Sequence, residues 1–310
     1  TNGSEAKLSA PIPTAFLDAV RARLDQTLPV GNEGAGVVVA TGDSPAAKAL
    51  HGKVVAVMPG GSFSSYVKVP AITCLAHNEG TTPLEAASSF VNPLTVLCFL
   101  ETMRLENHTA IVHTAAASNL GQMLVRHCQN EGVELVNIVR SQQQVDILTA
   151  IGAKYICNSS DADFAQKLTD ALDATGATIA FDATGGGDLA NTILGCMERA
   201  LSKNAKGLNT YGSVELKQVY LYGGLDVGPT LLKRGYGMSW SVGGWLMPLS
   251  LARIGQERTA ELRQKVADEL KTTFASAYTD ELSLVEALDP KQIARYLPKK
   301  TGEKYVVTAQ

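Results

Sequence analysis

Apolar and polar positions change their period along the chain, and the change divides it in two. Between residues 31 and 93 the apolar runs are short. Residues 37–40 and 54–57 are strand-like, each bounded by Gly or Pro, and residues 66–69 form a candidate third run. Brief strands between glycine turns predict a small β-rich unit ending near Pro93. From residue 110 the texture differs. Ala110, Ile111, Val112, His113 and Thr114 read as a buried strand, and residues 115–119 as a loop of small side chains. Leu120, Met123, Leu124, His127 and Cys128 then recur at the spacing of one helix face. Strands at 134–139, 155–157 and 177–181 alternate with helices at 142–151, 164–172 and 190–201. This alternation predicts βαβ units around a parallel sheet. Residues 207–226 predict two more strands and residues 251–274 a long, charged helix. After Asp289-Pro290 the tail ends in a turn feeding a strand at 302–307. That strand has no partner inside the α/β region and is free to return to the β-rich unit. Residues 1–30 are poorly patterned.

Composition narrows the classes. The 310 residues are 45% hydrophobic and 18% charged, the profile of a folded chain. The formal net charge of −3 supplies no attraction for nucleic acid or anionic lipid, so neither is expected as a partner. No run approaches the roughly 18 apolar residues of a membrane span. The N-terminus has no signal-peptide pattern, so a cytoplasmic location is expected. The 5 cysteines, Cys74, Cys98, Cys128, Cys157 and Cys196, are scattered and odd in number. That argues against a disulfide framework or a CxxC-type zinc site. The 28 glycines are about 9% of the chain against a usual share of about 7%, which raises the question of backbone held close to a ligand.

The turn after the 110–114 strand is where chemistry first becomes specific. A strand, a tight turn and a helix N-terminus make a pyrophosphate site, because free N–H groups and the helix dipole point at the anion. The positions of the GxGxxG fingerprint hold Ala116, Ser118 and Gly121, so only the last glycine survives. The plainer reading of the same residues is an ordinary βα turn with a Ser or Asn cap. The second strand ends in Val139, Arg140 and Ser141, with no acid for ribose hydroxyls. A guanidinium there favours a 2′-phosphate, and hence NADPH over NADH.

These segments together resemble the medium-chain dehydrogenase/reductase superfamily, in its zinc-free quinone oxidoreductase and enoyl reductase branch. The resemblance runs from about residue 29 to 308. It rests on Gly31-Asn32-Glu33-Gly34-Ala35-Gly36-Val37, on the glycine-bearing stretch 60–67, on Asn92-Pro93-Leu94-Thr95 and on the variant loop 115–121. Gly152-Ala153 with Asn158, residues 182–187, Tyr211-Gly212 and residues 302–307 complete it. It implies a Rossmann-type parallel sheet domain plus a GroES-like β-barrel catalytic domain. The implied boundaries are 1–96 for the catalytic domain, 97–275 for the NADP-binding domain and 276–310 for a C-terminal return to the first. A homodimer through the cofactor domain is implied as well. Family members carry a longer segment ahead of the Gly31 signature than the 30 residues here, which implies either a subgroup that differs in this region or a barrel incomplete at its N-terminal side.

Zinc-dependent relatives have His where this chain has Asn32, and an amide is a poor substitute for imidazole. The resemblance therefore implies hydride transfer from NADPH to a quinone or α,β-unsaturated carbonyl with no metal. Hydrogen-bond donors would stabilise the developing enolate or hydroquinone oxygen. Asn92, Thr95 and Tyr66 are the candidate catalytic residues. Ser118, Asn119, Leu120, Arg140, Asn158, Gly185, Gly186, Tyr211, Gly212 and Lys304 are the candidate cofactor residues. Tyr66 has a plainer reading as a strand residue packed on the barrel, and Lys304 as a solvated turn lysine. Trp240 and Trp245 would wall a flat substrate or pack a dimer interface. Two alternatives stand beside the quinone or enone reading. One is a 2-enoyl thioester reductase; the other is a catalytically silent NADPH-binding protein, either a redox sensor or an RNA binder.

Overall fold

A computed structural model gives the fold and describes residues 11, 12, 14, 17–203, 210–298 and 301–309. The small N-terminal unit is a three-stranded antiparallel sheet of β1 (Gly34–Val37), β2 (Val54–Val57) and β3 (Leu75–Ala76), in that order. The strand expected at 37–40 starts earlier, and only Val37 is shared. Residues 66–69 form no strand, and the third strand lies at Leu75 instead. Alternation alone does not make a strand when no neighbour buries one of its faces, and Tyr66 is 79% exposed.

The larger unit is a six-stranded parallel sheet of β4 (Ala110–His113), β5 (Glu134–Val139), β6 (Tyr155–Asn158), β7 (Ile179–Asp182), β9 (Lys217–Leu221) and β11 (Trp240–Gly244). Its spatial order is β6-β5-β4-β7-β9-β11. Renumbered within the sheet this is 3-2-1-4-5-6, the dinucleotide-binding order, with its crevice where β4 and β7 part company. Alternate side chains feed two cores. Ile111, Val139 and Phe181 face the helices Val91–Leu105, Asn119–Glu131 and Met247–Asp268. Val112, Ile138 and Ala180 face Phe164–Thr175 and Leu189–Lys203. Both faces of the sheet are therefore covered, which is why its strands read as continuous apolar runs.

Two short parallel pairs complete the architecture. β8 (Gly185–Gly187) pairs with β10 (Asp226–Thr230), and β12 (Asp280–Ser283) pairs with β13 (Tyr305–Thr308). The C-terminal strand thus takes its hydrogen bonds from β12 rather than from β1, β2 or β3. Its side chains still reach the first unit, as the site shows. The boundary expected at 96/97 falls inside helix Val91–Leu105.

Candidate cofactor and active site

The turn at the end of β4 is built as a phosphate-facing start. Ala115 takes a left-handed φ of 50°, and Ala116 and Ala117 are buried beneath it. Ser118 caps helix Asn119–Glu131, its Oγ accepting from the Gly121 N–H at 3.1 Å. That leaves the first-turn N–H groups of Asn119 and Leu120 with no partner inside the helix. A Cβ on Gly121 would lie 2.0 Å from the Ala116 carbonyl oxygen. The surviving glycine is therefore demanded by the turn folding back on its own helix. Below it, the buried carboxylate of Asp182 at the end of β7 accepts from the Thr114 hydroxyl at 2.7 Å and from the N–H groups of Thr184 and Gly185. Three donors satisfy a charge that would otherwise be costly to bury.

Of the expected cofactor residues, Ser118, Asn119 and Leu120 come together at this helix start. The Leu120 side chain joins the core, and the Asn119 amide donates to Ser276 Oγ at 3.1 Å, so their free contribution is backbone N–H. Arg140 is exposed at the end of β5. Its backbone is fixed by Gln144 Oε1 and Ser160 Oγ, and among the described residues no carboxylate forms an ion pair with its guanidinium.

Other expectations are placed differently. Asn158 is buried, and its amide is committed locally, with Nδ2 donating to Asp161 and Oδ1 accepting from the Ser160 N–H. Gly185 and Gly186 are also closely packed. A Cβ on Gly185 would meet the Gly223 carbonyl oxygen at 2.8 Å, and one on Gly186 would meet Asp226 and Gly228 at 2.7 Å, so Gly186 makes room for β10 and Gly185 for the turn before it. Tyr211 is 73% exposed ahead of β9, and Gly212 packs on Glu198. The Tyr-Gly pair at the C-terminal edge of the sheet is Tyr222-Gly223. Tyr222 N–H donates to the Asp182 carbonyl at 3.0 Å, and its hydroxyl bonds His113 Nε2 at 2.8 Å. Burial pushes the His113 imidazole from the ordinary 6.5 down to about 3. Trp245 is a core residue, its Nε1 donating to Thr102, while Trp240 sits on the edge strand β11 against Tyr236.

The second part of the site is the start of helix Val91–Leu105. Asn92 and Thr95 share one of its faces, Asn92 partly exposed and Thr95 buried one turn on. The helix has no local cap, since Phe90 precedes it. Glu33 supplies one from the signature loop, its Oε2 accepting from the N–H groups of Phe90 at 3.1 Å and Val91 at 2.8 Å. Burial raises the Glu33 carboxyl above its ordinary value, against the pull of those N–H groups and of Lys304. Glu33 escapes a reading by motif chemistry because its partners are backbone groups 57 and 58 residues away.

The tail straps the two helix starts together. Ser276 meets Asn119, Tyr278 bonds Ser88 Oγ at 2.9 Å, and Thr301 Oγ1 accepts from Gln144 at 3.0 Å. Lys304 is not a solvated turn lysine. Its Nζ is buried over the Tyr278 ring without a hydrogen-bond partner among the described residues. Burial lowers its pKa to about 8, with Glu33 opposing the fall. A cavity of about 1330 Å³ opens between β1 and this tail, with Asn32, Glu33, Ser88 and Lys304 on its polar side and Val37 and Phe63 on its apolar side. Tyr66 lines the same cavity.

No family model matches the sequence. Over 166 residues, 51% of the chain, it is 30% identical to a hybrid polyketide–nonribosomal peptide synthetase of Aspergillus violaceofuscus, and the match spans 4% of that much longer protein. In structure it superposes on a candidate NADPH:quinone reductase of Mesorhizobium loti with a TM-score of 0.74 at 26% identity, covering 90% of this chain and 77% of that one. In fold the chain is similar to the zinc-free quinone oxidoreductases and enoyl reductases of the medium-chain dehydrogenase/reductase type. Two solved structures of lower identity show the same fold. The Escherichia coli quinone oxidoreductase complexed with NADPH gives a TM-score of 0.67 at 18% identity, covering 94% and 87%. The CurK enoyl reductase gives 0.65 at 19%, covering 95% and 84%. Asn32 stands where the sequence resemblance places the histidine of zinc-dependent relatives. Among the described residues no three His, Cys, Asp or Glu side chains are grouped to hold a metal ion. No helix among them is long and apolar enough to cross a membrane.

Proposed function

We propose that this medium-chain dehydrogenase/reductase transfers a hydride from NADPH to a carbon conjugated with a carbonyl, in a quinone or an α,β-unsaturated carbonyl, without a metal. The observation that carries it is the 3-2-1-4-5-6 sheet whose first turn leaves helix N–H groups free while its second strand ends in Arg140, exposed and without an ion-pair partner among the described residues. The residues fit the cofactor: the backbone N–H groups of Asn119 and Leu120 would hold the pyrophosphate, and Arg140 the 2′-phosphate. The bound nicotinamide would supply the hydride. Asn92, at the start of its helix, would orient the carboxamide side of the cleft and offer an amide donor to oxygen as charge develops there. Thr95 would support it from one turn behind. The tail, through Ser276 and Lys304, would hold the two helix starts at a fixed separation and keep water out. Tyr66 would reach the reacting atoms only if its loop folded inward.

The partner expected for the chain is a second copy. β11 is the open edge of the six-stranded sheet, and Met238, Trp240 and Leu246 lie exposed along it. A homodimer would cover this edge, which is otherwise a hazard.

A specific observation favours a second reading of the acceptor. The 30% identity to a polyketide–peptide synthetase, with the likeness to CurK, supports a 2-enoyl thioester as the substrate, reduced by the same chemistry within a larger assembly. NADPH oxidation followed in parallel with a benzoquinone, a simple enone and a 2-enoyl thioester separates the readings. The enoyl thioester turning over fastest selects the second. Tight NADPH binding with turnover of none leaves the silent binder, and no NADPH binding defeats all three.

A further inference from the structure

We infer that Glu33 is a positioning residue for this reduction, fixing the first turn of helix Val91–Leu105 so that Asn92 and Thr95 meet the cofactor cleft. The inference rests on the proposed hydride transfer. Its geometry is that of a cap delivered across the molecule. A helix start leaves its first N–H groups unsatisfied, and Phe90 has no side-chain acceptor to offer. Glu33 Oε2 takes the Phe90 and Val91 N–H groups, at 3.1 and 2.8 Å. The second bond fixes the Phe90–Val91 peptide, one residue ahead of the candidate amide donor Asn92. A carboxylate is the right group, because the positive end of the helix dipole favours negative charge.

Two chain segments therefore meet at one carboxylate: the signature loop and the helix. The tail's Lys304 lines the same cavity as Glu33, its Nζ without a hydrogen-bond partner among the described residues. Its backbone is pinned separately, by Thr279 Oγ1 accepting from its N–H at 3.0 Å and its carbonyl accepting from Thr279 N–H at 2.6 Å. Loss of the Glu33 carboxylate would free the helix start without dismantling the six-stranded sheet. A misplacement of about 1 Å at a reacting group costs on the order of 100-fold in rate.

The test uses the full chain with Glu33→Gln and Glu33→Ala. Gln keeps the shape and a neutral acceptor, and guards against a variant that fails to fold. Four quantities are read: the NADPH Kd, kcat and KM for the best acceptor, and amide hydrogen exchange over residues 88–95. The inference expects kcat to fall about 100-fold in the Ala variant and about 10-fold in Gln, with the NADPH Kd within about two-fold of the parent. It expects faster exchange at Phe90 and Val91 in both. Faster exchange with an unchanged kcat overturns it, because the cap would then be structural only. A loss of NADPH affinity large enough to account for the fall in kcat/KM also overturns it, as does unchanged exchange. A parent chain that turns over no acceptor defeats the hydride-transfer reading, while the exchange data still decide whether Glu33 holds the helix start.

Discussion

Two helix starts frame the cleft, and they are made in opposite ways. Helix Asn119–Glu131 caps itself, with Ser118 accepting from Gly121 three residues on and Gly121 admitting the Ala116 carbonyl against the helix. Helix Val91–Leu105 cannot, and takes its acceptor from Glu33, 57 residues before Phe90. A self-capped start is specified by a handful of consecutive residues and forms with its own strand and turn. A remotely capped one is complete only when the small unit and the helix have assembled. The cofactor end of the site is therefore built in, whereas the acceptor end reports assembly. Conformational control, if selection had needed any, would be cheapest to install at the second.

The heaviest blow to the built-in end is Gly121→Val. Even the first added carbon would sit 2.0 Å from a backbone oxygen that has no room to retreat. A cost of about 3 kcal/mol or more is expected, read as a large fall in Tm together with lost NADPH binding. A Gly121→Ala variant that melts with the parent would remove the claim that this turn is sterically fixed.

Acid should strike both ends, the remote one first. Each helix start has a buried neutral histidine beside it: His113 just ahead of the Ala115 turn, and His77, bonded to Ser89 at 2.8 Å, just ahead of Phe90. Burial lowers His113 to about 3 and His77 to about 4. The unfolded chain takes up these protons near 6.5, so their stabilising effect is full above that pH and is lost as the pH falls towards 4 and 3. For the fully buried His113 this amounts to about 3 kcal/mol by pH 4. Glu33, with its raised pKa, gives up its charge at a higher pH than an ordinary glutamate, which weakens the remote cap further. Amide exchange on acidification should accelerate at residues 88–91 before 116–121. The reverse order would break the comparison. In parallel, His113→Gln should flatten the dependence of Tm on pH below about 6.

Arg140→Ala probes a narrower difference. Removing a charge-assisted contact to a 2′-phosphate should cost about 2 kcal/mol, a 10- to 100-fold rise in the NADPH Kd, with NADH changed by less than about three-fold. Equal losses for the two nucleotides would mean that the guanidinium recognises something common to both, and the NADPH preference would fall with it.

The same contrast between local and remote determination explains what could be read from the sequence. β4, helix Asn119–Glu131 and β5 were legible almost to the residue because each is set by its own period and its own caps. β11 was not, since Trp240-Ser241-Val242-Gly243-Gly244 is an edge strand with little buried surface and no clear alternation. β8 consists of three glycines and has no side-chain pattern to read. Tyr-Gly pairs stand at 211, 222 and 236, and only the course of β9 shows that the second lies at the C-terminal end of that strand. Asn158 has the right residue type at the right strand end, but the loop to Asp161 consumes its amide. Glu33 was visible as part of a signature but not as a cap, because a backbone N–H leaves no trace in a sequence.

The smallest effect is also the sharpest measure of the self-capped start. Ser118→Ala removes the acceptor of the Gly121 N–H but leaves the helix, the glycine and the turn in place. A lost N-cap costs about 1 kcal/mol, which is small against the stability of a chain this size and would barely move Tm. The Gly121 N–H, now freed, still points toward where the pyrophosphate would lie, so the bound anion itself can take over part of the missing cap. The apparent loss should therefore be smaller with NADPH bound than without it, and the variant should bind the cofactor with less than about a five-fold penalty. Measuring the stability difference between parent and variant, with and without NADPH, tests this directly. If the gap widens with the cofactor present, Ser118 must touch the phosphates through its own hydroxyl. The helix start would then be a ligand-binding group first and a cap second.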